Sequence, residues 1–168
     1  MRRITALLQT RNDGLRLGRC LETLYPCDAI LVIDHGSEDD TVRVAREYGA
    51  QIMAGLPGVS PEHYVAPRSG ARDSEWVLLL DARESLTESL AATLYEWKSE
   101  SSAFEKSGVS DSAFSVYSRE ETADGWIAVP VAKTRLVPQT WRRWHGGLPA
   151  HEPSAVALEG ELLRFAFP

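Results

Sequence analysis

Three groups of polar side chains follow short apolar runs of this chain, and their residue types suit contacts to a polar ligand. The groups are Thr10–Asp13, Asp34–Ser37 and Asp81–Glu84. Their hydroxyl, amide and carboxylate oxygens accept hydrogen bonds, and their arginines donate them. Polar residues after a strand also form turns and helix caps, which is the simpler explanation of any one group. Three such groups together favour a shared cleft, because ligands of open α/β sheets bind outside the carboxyl ends of the strands.

The elements that would position these groups alternate along the first half of the chain. Apolar runs predict strands over 4–9, 29–33, 50–53 and 76–80, and helical spacing predicts helices over 15–24, 38–48 and 87–97. Pro26 ends the first helix, Ser37 is the predicted N-cap of the second, and Gly49 follows that helix at its C-terminus. The alternation predicts a parallel sheet flanked by helices.

The second half of the chain has a different pattern. Short strands are predicted over 114–118, 126–129, 134–137 and 141–144, among glycine and proline turns. Residues 54–75 have no clear period, and 99–111 form a serine-rich polar stretch that we interpret as an exposed loop. The sequence therefore predicts a strand-rich region added to an α/β front end.

Composition excludes several classes of protein. The 168 residues fit one ordinary domain, and the net charge of −6 argues against nucleic-acid binding, which normally uses a basic face. The longest apolar run, 76–80, is too short to span a membrane, and 4–8 is too short for a signal sequence. Cys20 and Cys27 are too few for a disulfide framework, so we expect reduced thiols in a cytoplasmic protein.

Signatures of several common sites are missing or incomplete. No G-x-G-x-x-G follows the first strand, and the chain has no G-x-x-x-x-G-K-[ST] phosphate loop. The stretch from Gly58 lacks the second glycine of a nucleophile elbow, and His151-Glu152 lacks the second histidine of a zinc protease motif. The acidic stretch 34–40 has Asp39 where a calcium loop needs glycine.

Three blocks of the sequence resemble family 2 glycosyltransferases of the GT-A fold. The blocks are Leu8–Asp13, Ile30–Thr41 and Glu75–Glu84, which are similar in order and spacing to the family's "TxNE", "VDSGSTDDT" and "WVLxLDADE" segments. Two weaker similarities follow, Arg135–Val137 to an "RLF" segment and His151-Glu152 to an "HE" pair. The resemblance spans roughly residues 4 to 152, and within the family it points to bacterial enzymes that build lipopolysaccharide core or other surface glycans.

The resemblance implies a role for several of these residues. Thr10, Asn12, Ser37 and Asp81 would bind the nucleotide of a nucleotide-diphosphate sugar, and Asp34 would accept a hydrogen bond from its base, typically uracil.

In the family, a D-x-D motif at the position of Asp81 and Arg83 holds a divalent cation, Mg²⁺ or Mn²⁺, which offsets charge on the departing diphosphate. The second carboxylate is an arginine here, and three interpretations stay open. Asp81 holds the metal alone or with Glu84 or His151; Arg83 replaces the metal and pairs with the diphosphate; or catalysis is lost.

Two further assignments concern the diphosphate and the reaction. Arg68 or Arg72 either faces the diphosphate or lies on the solvated surface. Inverting transfer needs one general base, for which the resemblance favours Glu152 over Asp124 or Glu121. The simpler explanation of His151-Glu152 is a surface turn before a proline.

The sequence thus predicts one GT-A domain over 1–168, a three-layer α/β sandwich with a mostly parallel mixed sheet. Residues 1–84 would bind nucleotide and 85–168 would form the acceptor side. The implied activity is inverting transfer of a sugar from a nucleotide-diphosphate donor, typically UDP-linked, to a glycan or lipid-linked acceptor. A peripheral contact with the inner membrane and a homodimer are further expectations. The alternative is a non-catalytic homologue that binds a nucleotide or a protein partner.

Overall fold

The computed structural model describes residues 1–65, 75–100 and 113–168. The helices in these ranges are α1 (Gly14–Glu22), α2 (Thr41–Glu47) and α3 (Glu88–Ser99), with a short 3-10 helix at Pro61–His63. The strands are β1 (Arg3–Thr10), β2 (Ala29–Asp34), β3 (Gln51–Ala54), β4 (Glu75–Asp81), β5 (Glu84–Leu86), β6 (Phe114–Thr122), β7 (Gly125–Ala128), β8 (Lys133–Pro138), β9 (Trp144–His145), β10 (Leu148–Pro149) and β11 (Val156–Arg164). None of these helices has the length and apolar character needed to cross a lipid bilayer.

One mixed sheet contains strands from both halves of the chain. Its order among the described residues is β3-β2-β1-β4-β8-β6-β11-β5, and β7 pairs with β6. The strands β3, β2, β1 and β4 are parallel, as the alternation of strands and helices predicts. Pairing becomes antiparallel at β8, and β11 then runs parallel to β6. The predicted α/β fold is confirmed, and the three predicted polar groups follow strands of the parallel half.

The two faces of this sheet bury different sets of apolar side chains. On one face, alternate residues of β1 such as Ala6 and Leu8 pack with Leu17 of α1 and Leu94 of α3. On the other face, Leu7 packs with a smaller cluster that includes aliphatic side chains of β2 and β4 and the Trp141 ring. Because successive side chains of a strand point to opposite faces, β1 is buried on both sides, which is typical of a central parallel strand.

Two sequence-based predictions are wrong in detail. Ser37 is not the N-cap of the second helix, because its hydroxyl and backbone N–H both bond to Asp34, and the helix begins only at Thr41, after Asp40. Residues 141–143 are not a strand. There the Trp141 indole N–H donates to the Arg143 carbonyl at 2.6 Å, and only Trp144–His145 pairs, with Leu148–Pro149. The predicted glycine after the second helix is confirmed, since Gly49 has a φ of 74°.

The strands β5 and β11 were not predicted, and they matter for the site. Glu84, which we expected in a loop, begins β5, and its side chain is 1% exposed. The strand β11 bulges between Ala157 and Glu161, where Gly160 has a φ of 95°. A Cβ on Gly160 would lie 2.4 Å from the Leu90 nitrogen of α3, so glycine allows strand and helix to approach closely.

Both cysteines are free thiols, and Cys27 is half-buried. Cys20 of α1 is buried, and burial raises its pKa well above the usual range. Burial is also the main cause that raises the pKa of Cys27, to about 12. Because the thiolate is the reactive form, neither cysteine is suited to nucleophilic chemistry in this environment.

Candidate functional site

Thr10 and Asp34 end the neighbouring strands β1 and β2 and are partners in the sheet register. The Thr10 hydroxyl donates a hydrogen bond of 2.8 Å to Asp34 Oδ1. Ser37 donates two more, from its backbone N–H to Oδ2 at 2.9 Å and from its hydroxyl to Oδ1 at 2.6 Å. The Asp34 carboxylate therefore fixes the loop after β2 against the end of β1, and the structure brings these three predicted residues together.

The pKa of Asp34 reflects a balance between burial and hydrogen bonding. Burial is the largest effect and acts to raise the pKa, because it removes water from the charged form. The hydrogen bonds from Ser37, Thr10 and the Gly36 backbone together outweigh burial, so the pKa is lowered from its ordinary value of 3.8. Asp34 is ionised at neutral pH. Thr10 and Ser37 already use three of the roughly four acceptor positions of its carboxylate.

Asn12 joins the same two loops by a second pair of hydrogen bonds. Its backbone N–H donates to Ser37 Oγ at 2.9 Å, and its side-chain oxygen accepts from the Glu38 N–H at 2.8 Å. Asn12 has a φ of 54°, a left-handed conformation that asparagine tolerates better than most residues. The four predicted residues of the two loops thus form one connected network, which holds the ends of β1 and β2 in a fixed relation.

A pocket of about 480 Å³ opens beside this network, a volume within the usual range for small-molecule sites. It lies at the carboxyl ends of β1, β2 and β3. The lining residues are Gln9, Thr10, Arg11, His35, Gly55 and Pro57. The position agrees with the expectation that the polar groups after parallel strands share one cleft.

Gln9 and His35 form a hydrogen-bonded pair in the wall of this pocket. The His35 Nε2 and Gln9 Oε1 atoms are 2.7 Å apart. Two glycines make room for the pair. A Cβ on Gly55 would lie 2.3 Å from the imidazole of His35, and one on Gly147 would lie 2.8 Å from Gln9 Nε2. Gly147 precedes β10, so the hairpin of β9 and β10 borders the pocket at Gln9.

Asp81 lies at the end of β4, one strand away from the pocket wall. It is the register partner of Gln9, and its side chain is 45% exposed. Asp81 Oδ1 accepts a 2.9 Å hydrogen bond from the Arg83 backbone N–H, and Oδ2 lies 4.0 Å from an Arg164 guanidinium nitrogen. Glu84, three residues on, accepts from the guanidinium of Arg135 at 3.1 Å and is therefore held inside the sheet.

Among residues 1–65, 75–100 and 113–168, the side chains around Asp81 do not form a site for a divalent cation. Within these ranges no three His, Cys, Asp or Glu side chains come together as possible metal ligands. Glu84 already forms ion pairs with Arg135 and Arg164, and His151 is exposed. A magnesium or manganese site normally needs several oxygen ligands, and a guanidinium beside Asp81 repels a cation.

Glu152, the predicted general base, is held by two neighbours. Glu152 Oε2 is 2.5 Å from the Arg143 guanidinium, and Oε1 accepts a 2.6 Å hydrogen bond from the Ser154 hydroxyl. The Ser154 hydrogen bond is the main cause that lowers the pKa of Glu152, and Arg143 adds to it. The Glu152 backbone N–H donates to Thr134 of β8. The carboxylate is ionised at neutral pH, as a base must be, but its affinity for a proton is reduced.

The other predicted candidates lie elsewhere. Glu121 is in β6 opposite Trp126, and Asp124 is in the turn that follows. Arg83 is exposed and makes no hydrogen bond or ion pair through its side chain with a described residue. Arg68 and Arg72 lie outside the described residues, as does most of the expected polar loop at 99–111.

Sequence reasoning missed part of the pocket wall. Gln9 lies in an apolar run that predicts a strand, without a binding role, whereas Gly55 and Pro57 lie in a segment without clear periodicity. One signal could have found Gly55 and Pro57. They follow the third parallel strand, whose carboxyl end must lie at the same edge of the sheet as the carboxyl ends of β1 and β2.

Comparison with known proteins found relatives among glycosyltransferases. Over 94 residues, 54% of this chain, the sequence is 33% identical to an uncharacterized glycosyltransferase of Rickettsia prowazekii. It is 32% identical, again over 94 residues, to an uncharacterized glycosyltransferase of Rickettsia felis. The chain is glycosyltransferase-like. The resemblance to glycosyltransferases that the sequence motifs predicted is therefore confirmed.

The match covers only part of these glycosyltransferases. The glycosyltransferase-like chain spans about a third of their length, 31% for the Rickettsia prowazekii protein. It matches no established family profile. Among solved structures it is 25% identical to glucosyl-3-phosphoglycerate synthase from Mycobacterium tuberculosis in complex with Mn²⁺, UDP and glucosyl-3-phosphoglycerate. That alignment covers 49% of this chain and 34% of the synthase, with a TM-score of 0.38.

Proposed function

We propose that this chain carries the donor site of a GT-A glycosyltransferase of family 2. Its pocket would bind the nucleoside of a nucleotide-diphosphate sugar, and the sugar would pass to a glycan or lipid-linked acceptor with inversion. The observation that carries this proposal is the pocket at the carboxyl ends of β1, β2 and β3, next to the network of Thr10 and Asp34.

The composition of the pocket supports a nucleoside as its ligand. Arg11 and the His35–Gln9 pair offer donors and acceptors, and Pro57 offers apolar surface against which a flat base can pack. Asp34 is hydrogen-bonded to Thr10 of the pocket lining, and its negative charge favours contact with an N–H group of a base or a ribose hydroxyl.

The reaction is a single displacement at the anomeric carbon. The bond between that carbon and the β-phosphate oxygen breaks, and the electron pair leaves with the diphosphate. The acceptor hydroxyl oxygen forms the new bond from the opposite face, and its proton passes to a base. We assign Glu152 as that base. Its carboxylate is ionised, and it follows the β9–β10 hairpin, which adjoins the pocket at Gln9.

The nucleoside assignment is tested by calorimetric titration of the full chain with UDP and UDP-glucose. Binding to the wild type and about tenfold weaker binding to Arg11→Ala are expected, because one charge-assisted contact is worth roughly that much. Arg46→Ala is the matched control, since Arg46 is an exposed arginine of α2 outside the pocket lining. Absence of binding by the wild type to both ligands would contradict the proposal.

A non-catalytic nucleotide-binding module is a second candidate function. The observation that favours it is that two carboxylates with predicted roles, Glu84 and Glu152, form ion pairs with arginines. The two functions differ in turnover. Release of free UDP from UDP-glucose in the presence of a glycan acceptor supports the transferase, whereas nucleotide binding without UDP release across acceptors supports the module.

A further inference from the structure

The side chain of Arg164 lies near the carboxylate at the end of β4. Arg164, the last residue of β11, has its Nη2 atom 4.0 Å from Asp81 Oδ2 and its Nη1 atom 3.2 Å from Glu84 Oε1. Arg83 follows Asp81 by two residues and is exposed. One guanidinium group, that of Arg164, therefore lies near the carboxylate at the end of β4, and a second arginine, Arg83, is two residues away along the chain.

The position of Arg164 is fixed by the sheet. Arg164 is the register partner of Glu84 in the antiparallel pair of β11 and β5. The next residue, Phe165, donates its backbone N–H to the Arg83 carbonyl at 2.9 Å. Glu84 itself is buried and also binds Arg135. Strand β11 thus places the Arg164 guanidinium near the end of β4, and backbone and side-chain contacts hold it in that position.

The charges of this cluster favour an anion over a cation. Among the side chains that contact one another, Arg135 and Arg164 balance the charges of Asp81 and Glu84. The exposed Arg83, two residues from Asp81, adds one positive charge. A divalent cation would add to that excess and would lie beside a guanidinium. A diphosphate carries at least two negative charges and would be attracted.

Arg164 keeps hydrogen-bond donors available. A guanidinium has five N–H groups, and Arg164 uses one side of the fork for Glu84. Its Nη2 atom is too far from Asp81 for a hydrogen bond, although the two charges attract. The side chain is 34% exposed. Arginine binds phosphate oxygens through two parallel N–H groups. The contacts of Arg164 leave two of its N–H groups available for a phosphate.

The distance from the pocket suits a nucleoside diphosphate. Gln9 in the pocket wall and Asp81 are register partners on the adjacent strands β1 and β4. Adjacent strands are about 4.8 Å apart. A nucleoside diphosphate whose nucleoside lies in the pocket therefore reaches the arginines if its diphosphate extends across about one strand spacing, from β1 to β4.

We propose that Arg164 and Arg83 bind the diphosphate of the donor directly and take the place of a divalent cation. This inference rests on the proposed function, because it requires a nucleoside in the neighbouring pocket. Asp81 and Glu84 are then positioning residues, which orient Arg164 and balance its charge when no ligand is bound.

The test compares UDP with uridine by calorimetry on the full chain, with EDTA and with Mn²⁺. UDP is expected to bind in EDTA within about twofold of its affinity in Mn²⁺. Arg164→Gln should weaken UDP binding about tenfold or more and leave uridine binding unchanged, since uridine has no phosphate. Arg83→Gln, a change at an exposed side chain, should also weaken UDP binding selectively. Arg164→Lys, which keeps the charge but loses the fork, should give an intermediate affinity.

Arg119→Gln is the matched control, because Arg119 is an exposed, ion-paired arginine of the same sheet. UDP binding that requires Mn²⁺, or that is unchanged in both Arg164→Gln and Arg83→Gln, would overturn the metal-free proposal and leave the donor site intact. Equal losses for UDP and uridine in Arg164→Gln would also overturn it, because they indicate a general structural effect. No binding of UDP or uridine in any condition would overturn the proposed function itself.

Discussion

The imidazole of His35 occupies the space that a side chain on Gly55 would need. A Cβ built on Gly55 lies 2.3 Å from the His35 ring, far inside van der Waals contact. The ring is held on its other side by Gln9, at 2.7 Å. The pocket wall therefore requires glycine at position 55, directly after β3. The contacts of His35 with Gly55 and Gln9 connect the ends of three strands that are distant in sequence.

Gly55→Ala should displace His35 and disturb the pocket. The overpacking is expected to lower the free energy of unfolding by about 1–3 kcal/mol. UDP binding should weaken as well, because the His35–Gln9 pair would be broken. Urea denaturation and calorimetry measure the two effects. In a His35→Ala background the added cost of Gly55→Ala should largely disappear, because the ring is gone. A cost that persists there would show that His35 is not what the new methyl group meets.

Asp34 should make stability depend on pH in the acid range. Its pKa is lowered in the folded protein from the ordinary value of 3.8, so its contribution is fully present above pH 3.8 and is lost as pH falls through the lower, folded-state pKa. Asp34→Asn should cost about 1.5–3 kcal/mol at neutral pH, the usual value of hydrogen bonds to a charged group. Urea unfolding of both proteins between neutral and acid pH provides the measurement. The difference should shrink below pH 3.8, and a constant difference would contradict this role.

Glu84 should be a strong determinant of stability. It is 1% exposed and binds Arg135, which is itself buried, at 3.1 Å. Glu84→Gln leaves a buried guanidinium without its counter-charge, which typically costs about 3–5 kcal/mol. Glu47→Gln is the control, because the Glu47–Arg43 pair is exposed and such pairs contribute about 0–1 kcal/mol. Similar losses in the two variants, measured by urea denaturation, would show that the Glu84 network is not stabilising.

The parallel half of the sheet and the polar groups at its edge could be predicted because the signals are local. Apolar runs followed by polar groups at Thr10, Asp34 and Asp81 define strand ends, and parallel pairing then brings these ends to one edge. No long-range contact is needed for that inference, only the order of the elements along the chain.

The remainder depended on contacts that sequence patterns do not encode. Arg164 reaches Asp81 because β11 pairs with β5 and β6, and neither the three-residue β5 nor the bulged β11 gives a clear period. Ser37 has the residue type of a helix cap, yet Asp34 and Asn12 take its hydroxyl and keep the chain out of the helix. In the first case the local signal is missing, and in the second a local helix-cap propensity loses to tertiary hydrogen bonds.

The activity of Glu152 as a base should persist to unusually acid pH. A base must be deprotonated, and the pKa of Glu152 is lowered from its ordinary value of 4.5, mainly by the Ser154 hydroxyl. The acid limb of the pH–rate profile for UDP release from UDP-glucose should therefore lie below pH 4.5. Ser154→Ala removes the main cause, so the limb should move to higher pH. Glu152→Gln should lower the rate about 10²-fold or more, with UDP affinity unchanged.

Thr122→Ala provides the comparison for Ser154→Ala, because it removes a surface hydroxyl that bonds within the turn between β6 and β7. It should leave the acid limb in place. If Ser154→Ala and Thr122→Ala give the same profile as the wild type, the group titrating in that limb is not Glu152. A pH–rate profile that is unchanged in Glu152→Gln assigns the base elsewhere, and Asp124 and Glu121 are then the next residues to replace.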